Sequence, residues 1–430
     1  MRSRSATLLS AVAAATLVLT SCSGEATTGG GGPVTLEFWA WPVGTQEIVD
    51  AFNEAHPDIR VEHTDAGGGT DSSAKLLTAS RAGDAPDVSL VEYQMLPSLV
   101  VADVVADITE HTADIKDAFT EGTWAQTRFG DAVYGIPQDI GPMCITYRHD
   151  LFTQLGLSAP TTWADFEAAA RTVKERNPEA RIAAIPPDAF GFFAGVAAQA
   201  GSDWWSVDGD RWAVGIADDA SLEVADFFER LVDQRLVSTD PLLTPEYNAA
   251  LSKGTMLSWP SALWAPGVLH GVAPDTAGKW AMAPLPQWEP GETTVSFQGG
   301  SALVVTKNSE HPEEAAEFAK WYNASKEGVN LLVDKAKAYT AAVSGQRLME
   351  SASPPPLMPQ QTDFYQVAAQ IAQKTKPVTW GPNVNVAQTT LTDALTKAIQ
   401  NNTPWRDAFI ETQKVVVEDM RKNGMTVSES

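Results

Sequence analysis

Residues 34–93 have the sequence VTLEFWAWPVGTQEIVDAFNEAHPDIRVEHTDAGGGTDSSAKLLTASRAGDAPDVSLVEY, in which β-rich runs alternate with helical ones. The strand-like runs are Val34–Trp39, Ile59–His63 and Asp87–Val91. Between them, residues 46–55 and 72–82 carry apolar side chains at helical spacing. This order of strand, helix, strand, helix and strand predicts a parallel sheet with helical crossovers, the α/β class. Farther along, the apolar spacing predicts helices at 163–176, with Thr161 or Thr162 as the N-cap, and at 405–422.

The whole chain has the composition of a folded protein with an acidic surface. It has 430 residues, of which 44% are hydrophobic and 20% charged. At roughly 150 residues per domain, this length predicts two or three domains. Lys and Arg number 30 against 54 Asp and Glu, which gives a formal net charge of −24. Such a charge repels phosphate backbones and anionic lipids, so we expect no nucleic acid partner and no basic membrane patch.

The first 32 residues are predicted to be a targeting segment and a linker. Arg2 and Arg4 precede an apolar run, Leu8–Leu19, that is too short to span a bilayer. The run ends in Leu19-Thr20-Ser21-Cys22, which resembles a bacterial lipobox. We therefore predict a lipoprotein signal peptide at 1–21, lipid on Cys22 and a flexible tether at 22–32. The alternative is an ordinary signal peptide with an incidental cysteine.

Motifs of enzymes and metal sites do not occur in the sequence. There is no G-x-S-x-G or H-E-x-x-H motif, and the two cysteines and six histidines are scattered. The sequence predicts no metal site, no cofactor and no catalytic residue. Glycosidase chemistry requires only two carboxyl groups at the right distance, which a sequence cannot reveal.

Several segments, in order along the chain, resemble the solute-binding lipoproteins of bacterial carbohydrate ABC importers, the maltodextrin-binding-protein-like family. The segments are IVDAFNEAHPDI (48–59), KLLTASRAGDAPDVSLVEY (75–93), YGIPQD (134–139), ITYRHDLF (145–152), LGL (155–157), TTW (161–163), GTMLSW (254–259), APLP (283–286) and GGSALVV (299–305). Each segment alone is a weak signal, but together they extend the resemblance from about residue 33 to the C-terminus.

The resemblance implies a type II periplasmic-binding-protein-like fold, with two α/β lobes and about three chain crossings at a hinge. We expect lobe 1 at 33–142 and 300–343, and lobe 2 at 143–299 and 344–430. The crossings are expected near Gly141–Cys144, at Gly299–Gly300 and near Ala341–Leu348. Glycines at such places let the backbone approach a ligand or absorb a hinge rotation.

Candidate ligand-binding residues follow from strand ends and from the resemblance. Parallel sheets bind ligands beyond the carboxyl ends of their strands, and several polar and aromatic residues occupy such positions. The candidates are Trp41, Glu92, Tyr93, Gln138, Asp139, Trp204, Trp205, Trp259, Trp264, Gly299, Gly300 and Trp380. The resemblance implies a stacking aromatic residue at Trp259 or Trp264 and a ligand contact near Trp380. Core packing is the alternative for each tryptophan, and capping or bridging is the alternative for Glu92 and Asp139.

The resemblance further implies a protein that captures a carbohydrate, an oligosaccharide above all, and delivers it to the transmembrane subunits of an ABC permease. Aromatic rings suit the C–H face of a pyranose, and carboxylates and amides suit its hydroxyl groups. We expect a monomer outside the cytoplasm, held to the membrane only by its N-terminal lipid, with no catalytic activity. The alternatives are a binding protein for a non-sugar solute and a surface-anchored glycoside hydrolase.

Overall fold

The computed structural model of the chain describes residues 32–209, 211–336, 338–376 and 378–429. The predicted signal peptide, Cys22 and the tether up to residue 31 lie outside the described residues. The strands are β1 (Val34–Trp39), β2 (Ile59–Thr64), β3 (Val88–Glu92), β4 (Arg128–Phe129), β5 (Ala132–Val133), β6 (Ile136–Arg148), β7 (Trp205–Asp208), β8 (Arg211–Val214), β9 (Ser258–Ala262), β10 (Trp280–Pro284), β11 (Phe297–Val305) and β12 (Val427–Glu429).

Helices separate most of these strands and make up most of the C-terminal third. They are α1 (Thr45–Ala55), α2 (Gly69–Ala82), α3 (Leu96–Val101), α4 (Thr109–Thr112), α5 (Glu121–Ala125), α6 (His149–Gln154), α7 (Trp163–Arg176), α8 (Phe190–Gln199), α9 (Asp219–Asp233), α10 (Pro245–Lys253), α11 (Ala265–Val272), α12 (Pro312–Ala324), α13 (Lys326–Leu331), α14 (Val343–Glu350), α15 (Phe364–Gln373), α16 (Val384–Asn401) and α17 (Trp405–Lys422). Short 3₁₀ turns occupy Lys116–Ala118 and Pro274–Thr276, and a π turn occupies Leu332–Ala336.

The N-terminal segment forms the predicted parallel sheet. Strand β1 lies between β2 and β3 and is parallel to both, with Val34 opposite Ile59 and Phe38 opposite Val88. Strand β11 returns from far along the chain and joins β3 in the antiparallel direction. Leu36 and Phe38 are the buried side chains of β1, and the Phe38 ring packs edge-on against Phe318 of α12, so alternation along the strand sets which face is covered.

Strand β6 links two parts of one seven-stranded sheet, whose order is β10-β6-β11-β3-β1-β2, with β9 also paired to β6. Its first half, up to Pro142, pairs with β11. From Met143 onward it lies between β9 and β10 instead. The strand therefore changes its partners at Pro142–Met143, inside the segment where the first chain crossing is expected.

Three chain segments lie side by side here, and the third, residues 339–341, overlaps the third expected crossing, Ala341–Leu348, only at Ala341. Strand β11 passes β6 on one edge, while residues 339–341 pass it on the other. On that second edge the Ile140 N–H donates to the Tyr339 carbonyl at 3.1 Å, and the Ala341 N–H donates to the Gln138 carbonyl at 2.9 Å. Three hydrogen-bonded chain segments at one place form the kind of junction about which two lobes can bend.

Local signals explain why some helices begin where they do. Helix α7 begins after Thr162, whose hydroxyl accepts from the Asp165 N–H while the Asp165 carboxylate accepts from the Thr162 N–H. This capping box fixes the predicted start of the helix. Helix α8 and the small sheet of β7, β8 and β12 are among the elements that the sequence did not predict. Among the described residues, no helix combines the length and the hydropathy needed to cross a bilayer.

Candidate functional site

A cavity of about 1550 Å³ opens at the carboxyl end of β3 and beside the junction of β6 and β11. This exceeds the roughly 300–1,000 Å³ of a site for a drug-sized ligand. One wall comes from the N-terminal part of the chain and includes Trp41, Glu92 and Asp139. The facing wall comes from α8, α11, α15 and α16 and includes Trp264. Seven of the twelve candidate residues line it: Trp41, Glu92, Gln138, Asp139, Trp264, Gly299 and Gly300.

Two acidic side chains lie in one row across three neighbouring strands. Ser301 on β11 is directly opposite Glu92 on β3 and directly opposite Asp139 on β6. Directly opposed residues in antiparallel strands place their side chains on the same face of the sheet. The Ser301 hydroxyl donates to the Asp139 carboxylate, and the Gln94 amide Nε2 donates to Glu92 Oε2 at 2.7 Å. Glu92, Ser301 and Asp139, the acidic row, therefore face the cavity together.

Burial makes the two carboxyl groups of the acidic row harder to ionise. Removal from water and, to a smaller extent, the negative charge of Asp139 together raise the pKa of Glu92 to about 7, against the hydrogen bond from Gln94. Burial also raises the pKa of Asp139 to about 6, although the Ser301 hydroxyl opposes the shift. Both effects follow from the cost of a charge in a medium of low polarity.

Two β-bulges aim glutamine side chains into the same cavity. Between Ser301 and Ala302 on β11, the partner on β6 moves from Asp139 to Pro137, which leaves Gln138 as an extra residue. A second register shift falls between Phe297 and Gly300 and includes Gln298. Bulges redirect side chains that regular alternation would send to the opposite face. Gln138 and Gln298 consequently line the cavity beside the acidic row.

Buried amide oxygens on the cavity wall have no hydrogen-bond partner in the described part of the chain. They belong to Gln94, Gln138, Gln298, Asn383 and Gln388. Buried polar atoms in native proteins are nearly always paired, so a group of unpaired acceptors around one cavity indicates a place for donors from a ligand or from water.

Two tryptophans line the cavity, one from each of the two walls. Trp41 follows β1 and packs on the backbone of Gly68, where an added Cβ atom would lie only 3.0 Å from the ring. Trp264 donates its indole N–H to the Gln298 carbonyl at 2.8 Å. Both rings remain half-buried and line the cavity.

The predicted glycines at the β6–β11 junction have backbone conformations that other residues avoid. Gly299 has φ of 74° and Gly300 has φ of 89°. A Cβ atom on Gly300 would lie 2.9 Å from the Tyr93 ring. The Tyr93 hydroxyl donates to the Asp139 carbonyl at 3.0 Å. Tyr93 thus supports Gly300 and Asp139 from behind and does not line the cavity, contrary to the expectation that it lies in the cleft.

Four candidate tryptophans also lie elsewhere than expected. Trp204 and Trp205 are both buried, whereas one of the pair was expected in the cleft. The Trp204 indole N–H donates to the Ser221 hydroxyl at 2.9 Å within an aromatic cluster. Trp380 packs behind Phe190, and Trp259 packs edge-to-face behind Trp264 at 5.4 Å between ring centroids. None of the four lines the cavity, because rings closer to it cover them.

Sequence analysis missed other residues of the cavity wall. They are Gln94, Gln298, Phe190, Tyr339, Phe364 and Tyr365, among others. Gln94 follows the third strand by two residues, which is a position that strand-end reasoning covers. Phe190 begins α8, and Phe364 and Tyr365 begin α15, so finding them requires knowing how these helices pack.

Similar proteins give the fold and the family of the chain. The arabinooligosaccharide-binding protein of Bacillus subtilis strain 168 is 24% identical over 328 residues, 73% of this chain and 74% of that protein. The lactose-binding protein of Rhizobium radiobacter is 28% identical over 313 residues, 67% of this chain and 69% of that protein.

A solved structure extends the likeness over nearly the whole chain. The galacto-N-biose-/lacto-N-biose I-binding protein of an ABC transporter from Bifidobacterium longum, in complex with lacto-N-biose, superposes with a TM-score of 0.83. It is 28% identical, and the match covers 93% of this chain and all of that one. The fold is thus the predicted two-lobed α/β fold of type II binding proteins. A family model for bacterial extracellular solute-binding proteins matches residues 41–329, and the chain belongs to that family.

Proposed function

We propose that this protein is the extracytoplasmic component of an ABC importer that captures an oligosaccharide in the cavity and delivers it to the membrane permease. The observation that carries the proposal is the combination of aromatic rings and unpaired acceptors around one cavity. Trp41 and Trp264 supply the rings, and the glutamine oxygens and the acidic row supply the acceptors.

The chemistry of this wall matches that of a pyranose. A sugar ring has a C–H face that packs on an indole and an edge of hydroxyl groups that donate hydrogen bonds. Hydrogen bonds to charged acceptors contribute about 1.5–3 kcal/mol each. The relatives named above bind arabinooligosaccharides, lactose and lacto-N-biose, and this supports a sugar ligand of more than one ring.

The ligand closes the protein by contacting both lobes, for which we propose the predicted boundaries, 33–142 with 300–343 and 143–299 with 344–430. Trp41 belongs to the first of these lobes and Trp264 to the second. A ligand that touches both rings binds the closed form more tightly than the open form, so binding shifts the population toward closure. The permease then recognises the closed form.

The protein acts as a monomer outside the cytoplasm, held to the membrane by lipid on Cys22. This part of the proposal rests on the lipobox-like sequence at 19–22 and on membership in an extracellular family. Mass spectrometry of the mature protein tests it. A diacylglyceryl group on an N-terminal Cys22 supports it, and an unmodified N-terminus elsewhere contradicts it.

Isothermal titration calorimetry against a panel of arabino-, galacto-, gluco- and xylo-oligosaccharides tests the binding function. We expect at least one sugar to bind with a dissociation constant in the range of about 1 μM or tighter. Binding of peptides or polyamines instead of every sugar would contradict the proposal. Glu92 and Asp139 form a pair of carboxyl groups, and glycoside hydrolases use such a pair for catalysis. The same sugars are therefore incubated with the protein and analysed for cleavage. Cleavage with turnover would identify a glycoside hydrolase.

A further inference from the structure

The acidic row has no positively charged partner. Within the part of the chain that the structure describes, Glu92 bonds to the Gln94 amide and Asp139 to the Ser301 hydroxyl, and neither carboxylate forms an ion pair. Both side chains are partly buried, and carboxylates away from bulk water are usually paired with a cation or a metal ion. No positive charge in the described part of the chain therefore balances the acidic row.

Several side-chain oxygens next to the acidic row also accept no hydrogen bond within the described part of the chain. Gln138, Gln94 and Gln298 are 2%, 8% and 8% exposed, and the side-chain oxygen of each lacks a partner. The orientation of Gln94 is fixed, because its Nε2 group donates to Glu92 and its oxygen is left over. Gln138 is aimed into the cavity by the bulge beside Asp139. The Gln138 and Gln298 oxygens are not bonded to the carboxylates of the row, and they call for the same kind of ligand group, one that donates hydrogen bonds.

The other charged groups of the cavity wall do not neutralise the row. Its basic side chains are Arg81, His270 and Lys335, and Lys335 pairs with Asp334 at 2.9 Å. Its further acidic side chains are Asp71, Asp188, Asp393 and Asp419. Burial and the mutual repulsion of Glu92 and Asp139 shift the pKa of Glu92, and no cation contributes to either carboxyl group.

We propose that the acidic row is the subsite for a protonated amino group, and that the preferred ligand is a carbohydrate with at least one amino-sugar unit. The inference rests on the proposed carbohydrate-binding function and narrows its substrate class. An ammonium group has three donors and no acceptor, which suits a wall of carboxylates and amide oxygens. A hydroxyl group in the same place donates only one hydrogen bond and leaves the negative charge in place.

The energetic balance favours the ammonium group. In an ordinary buried ion pair, removing both partners from water offsets much of the attraction. Here both carboxyl groups are already partly buried before the ligand arrives, so they lose less hydration on binding than two groups brought together from water. A cation beside the row lowers the pKa of both carboxyl groups, and binding then releases protons. Affinity for the amine should therefore rise from about pH 5 to about pH 7, as Glu92 and Asp139 ionise.

Calorimetry with matched sugars tests the inference. The pairs are cellobiose with the fully deacetylated glucosamine disaccharide, and lactose with its 2-amino-2-deoxy derivative, all at pH 7. We expect the amine of at least one pair to bind about tenfold more tightly than its hydroxyl counterpart. In Glu92→Gln and Asp139→Asn the ratio of the two dissociation constants should fall toward one. Glu313→Gln removes an exposed carboxylate outside the cavity wall and should leave the ratio unchanged.

The outcomes separate this inference from the function on which it rests. Equal or weaker binding of both amines, while neutral oligosaccharides bind, overturns the amino-sugar subsite and leaves the carbohydrate-binding function intact. A preference for the amine that persists in both row variants also overturns it, because the preference then arises elsewhere. No binding of any sugar, in these pairs or in the wider panel, removes the carbohydrate-binding function and the subsite together.

Discussion

The cavity wall and the aromatic cluster around Trp204 both bury polar atoms, but only the cluster gives most of them internal partners. In the cluster, Phe190, Trp204 and Phe409 meet edge-to-face at 5.3–6.0 Å, and the Trp204 N–H donates to Ser221. On the wall, Gln94 and Gln138 keep buried oxygens without partners. The difference separates packing that stabilises the protein from a surface that is complete only with a ligand.

One atom of the cluster departs from this contrast. The Trp205 indole nitrogen is buried without a hydrogen-bond partner. An added Cβ atom on Gly381 would lie 2.1 Å from that nitrogen, so the backbone of Gly381 closes off the space around it. The space that a ligand would need is absent there, whereas Gln94 and Gln138 face an open cavity. An unpaired buried atom indicates a site only where there is room beside it.

The largest expected effect is the loss of stability in Trp204→Ala. Removing a fully packed indole leaves a cavity and takes away one donor to the Ser221 hydroxyl, which keeps its bond to the Ser202 hydroxyl, so the free energy of unfolding should fall by about 3–5 kcal/mol. Urea unfolding followed by tryptophan fluorescence measures it. Trp204→Phe keeps a ring and should lose distinctly less. A fall below about 1 kcal/mol in Trp204→Ala would show that the cluster is not a packed core.

The next effect, on the wall, is a dependence of stability on pH. The folded protein holds a proton on Glu92 up to a pKa of about 7, against a usual value of 4.5. Between these values the folded state binds more protons than the unfolded state, so stability falls as pH rises from about 4.5 to about 7. The free energy of unfolding that the Glu92 proton contributes, and that is lost over this pH range, is at most about 3 kcal/mol. Asp139, with a pKa of about 6, acts in the same direction.

The variant Glu92→Gln removes the titrating group and keeps its shape. We expect its unfolding free energy in urea to change less between pH 5 and pH 8 than that of the wild type, and to exceed the wild-type value at about pH 8. Glu313→Gln, whose carboxylate is exposed, serves as the control and should keep the wild-type slope. An unchanged slope in Glu92→Gln would mean that this carboxyl group is ionised throughout.

Much of the fold follows from periodicity and caps that a sequence displays. Strand β1 and helices α7 and α17 have the predicted bounds, because alternation, the Thr162 cap and a long amphipathic pattern are local properties. Helix α8, with the sequence FGFFAGVAAQ, has no polar face and therefore no helical pattern to detect. Its first residues nevertheless line the cavity.

The residues of the candidate site that can be predicted are those whose place at a strand end brings them to the cavity. Trp41, Glu92 and Asp139 lie at or near strand ends and line the cavity. The aim of Gln298 depends on a bulge, which exists only in the register between β6 and β11. Whether a tryptophan lines the cavity depends on which side chains cover it. Trp259 and Trp264 are only five residues apart, yet Trp264 lines the cavity and Trp259 packs against Trp264. A single sequence does not show how deeply a given side chain is buried.

The smallest expected effect compares these two tryptophans. The Trp264 ring is held by its hydrogen bond to the Gln298 carbonyl and lines the cavity, so Trp264→Ala should weaken binding of the sugar found by calorimetry about tenfold. This equals about 1.4 kcal/mol, in the range of a single aromatic contact. Trp264→Phe should restore part of the affinity, because it keeps a flat face. Trp259→Ala should instead lower mainly the free energy of unfolding, because Trp259 is buried and packs against Trp264 without lining the cavity. If Trp259→Ala weakens binding more than Trp264→Ala at equal stability, the ring that contacts the sugar is the inner one, and the wall described above must rearrange when the ligand binds.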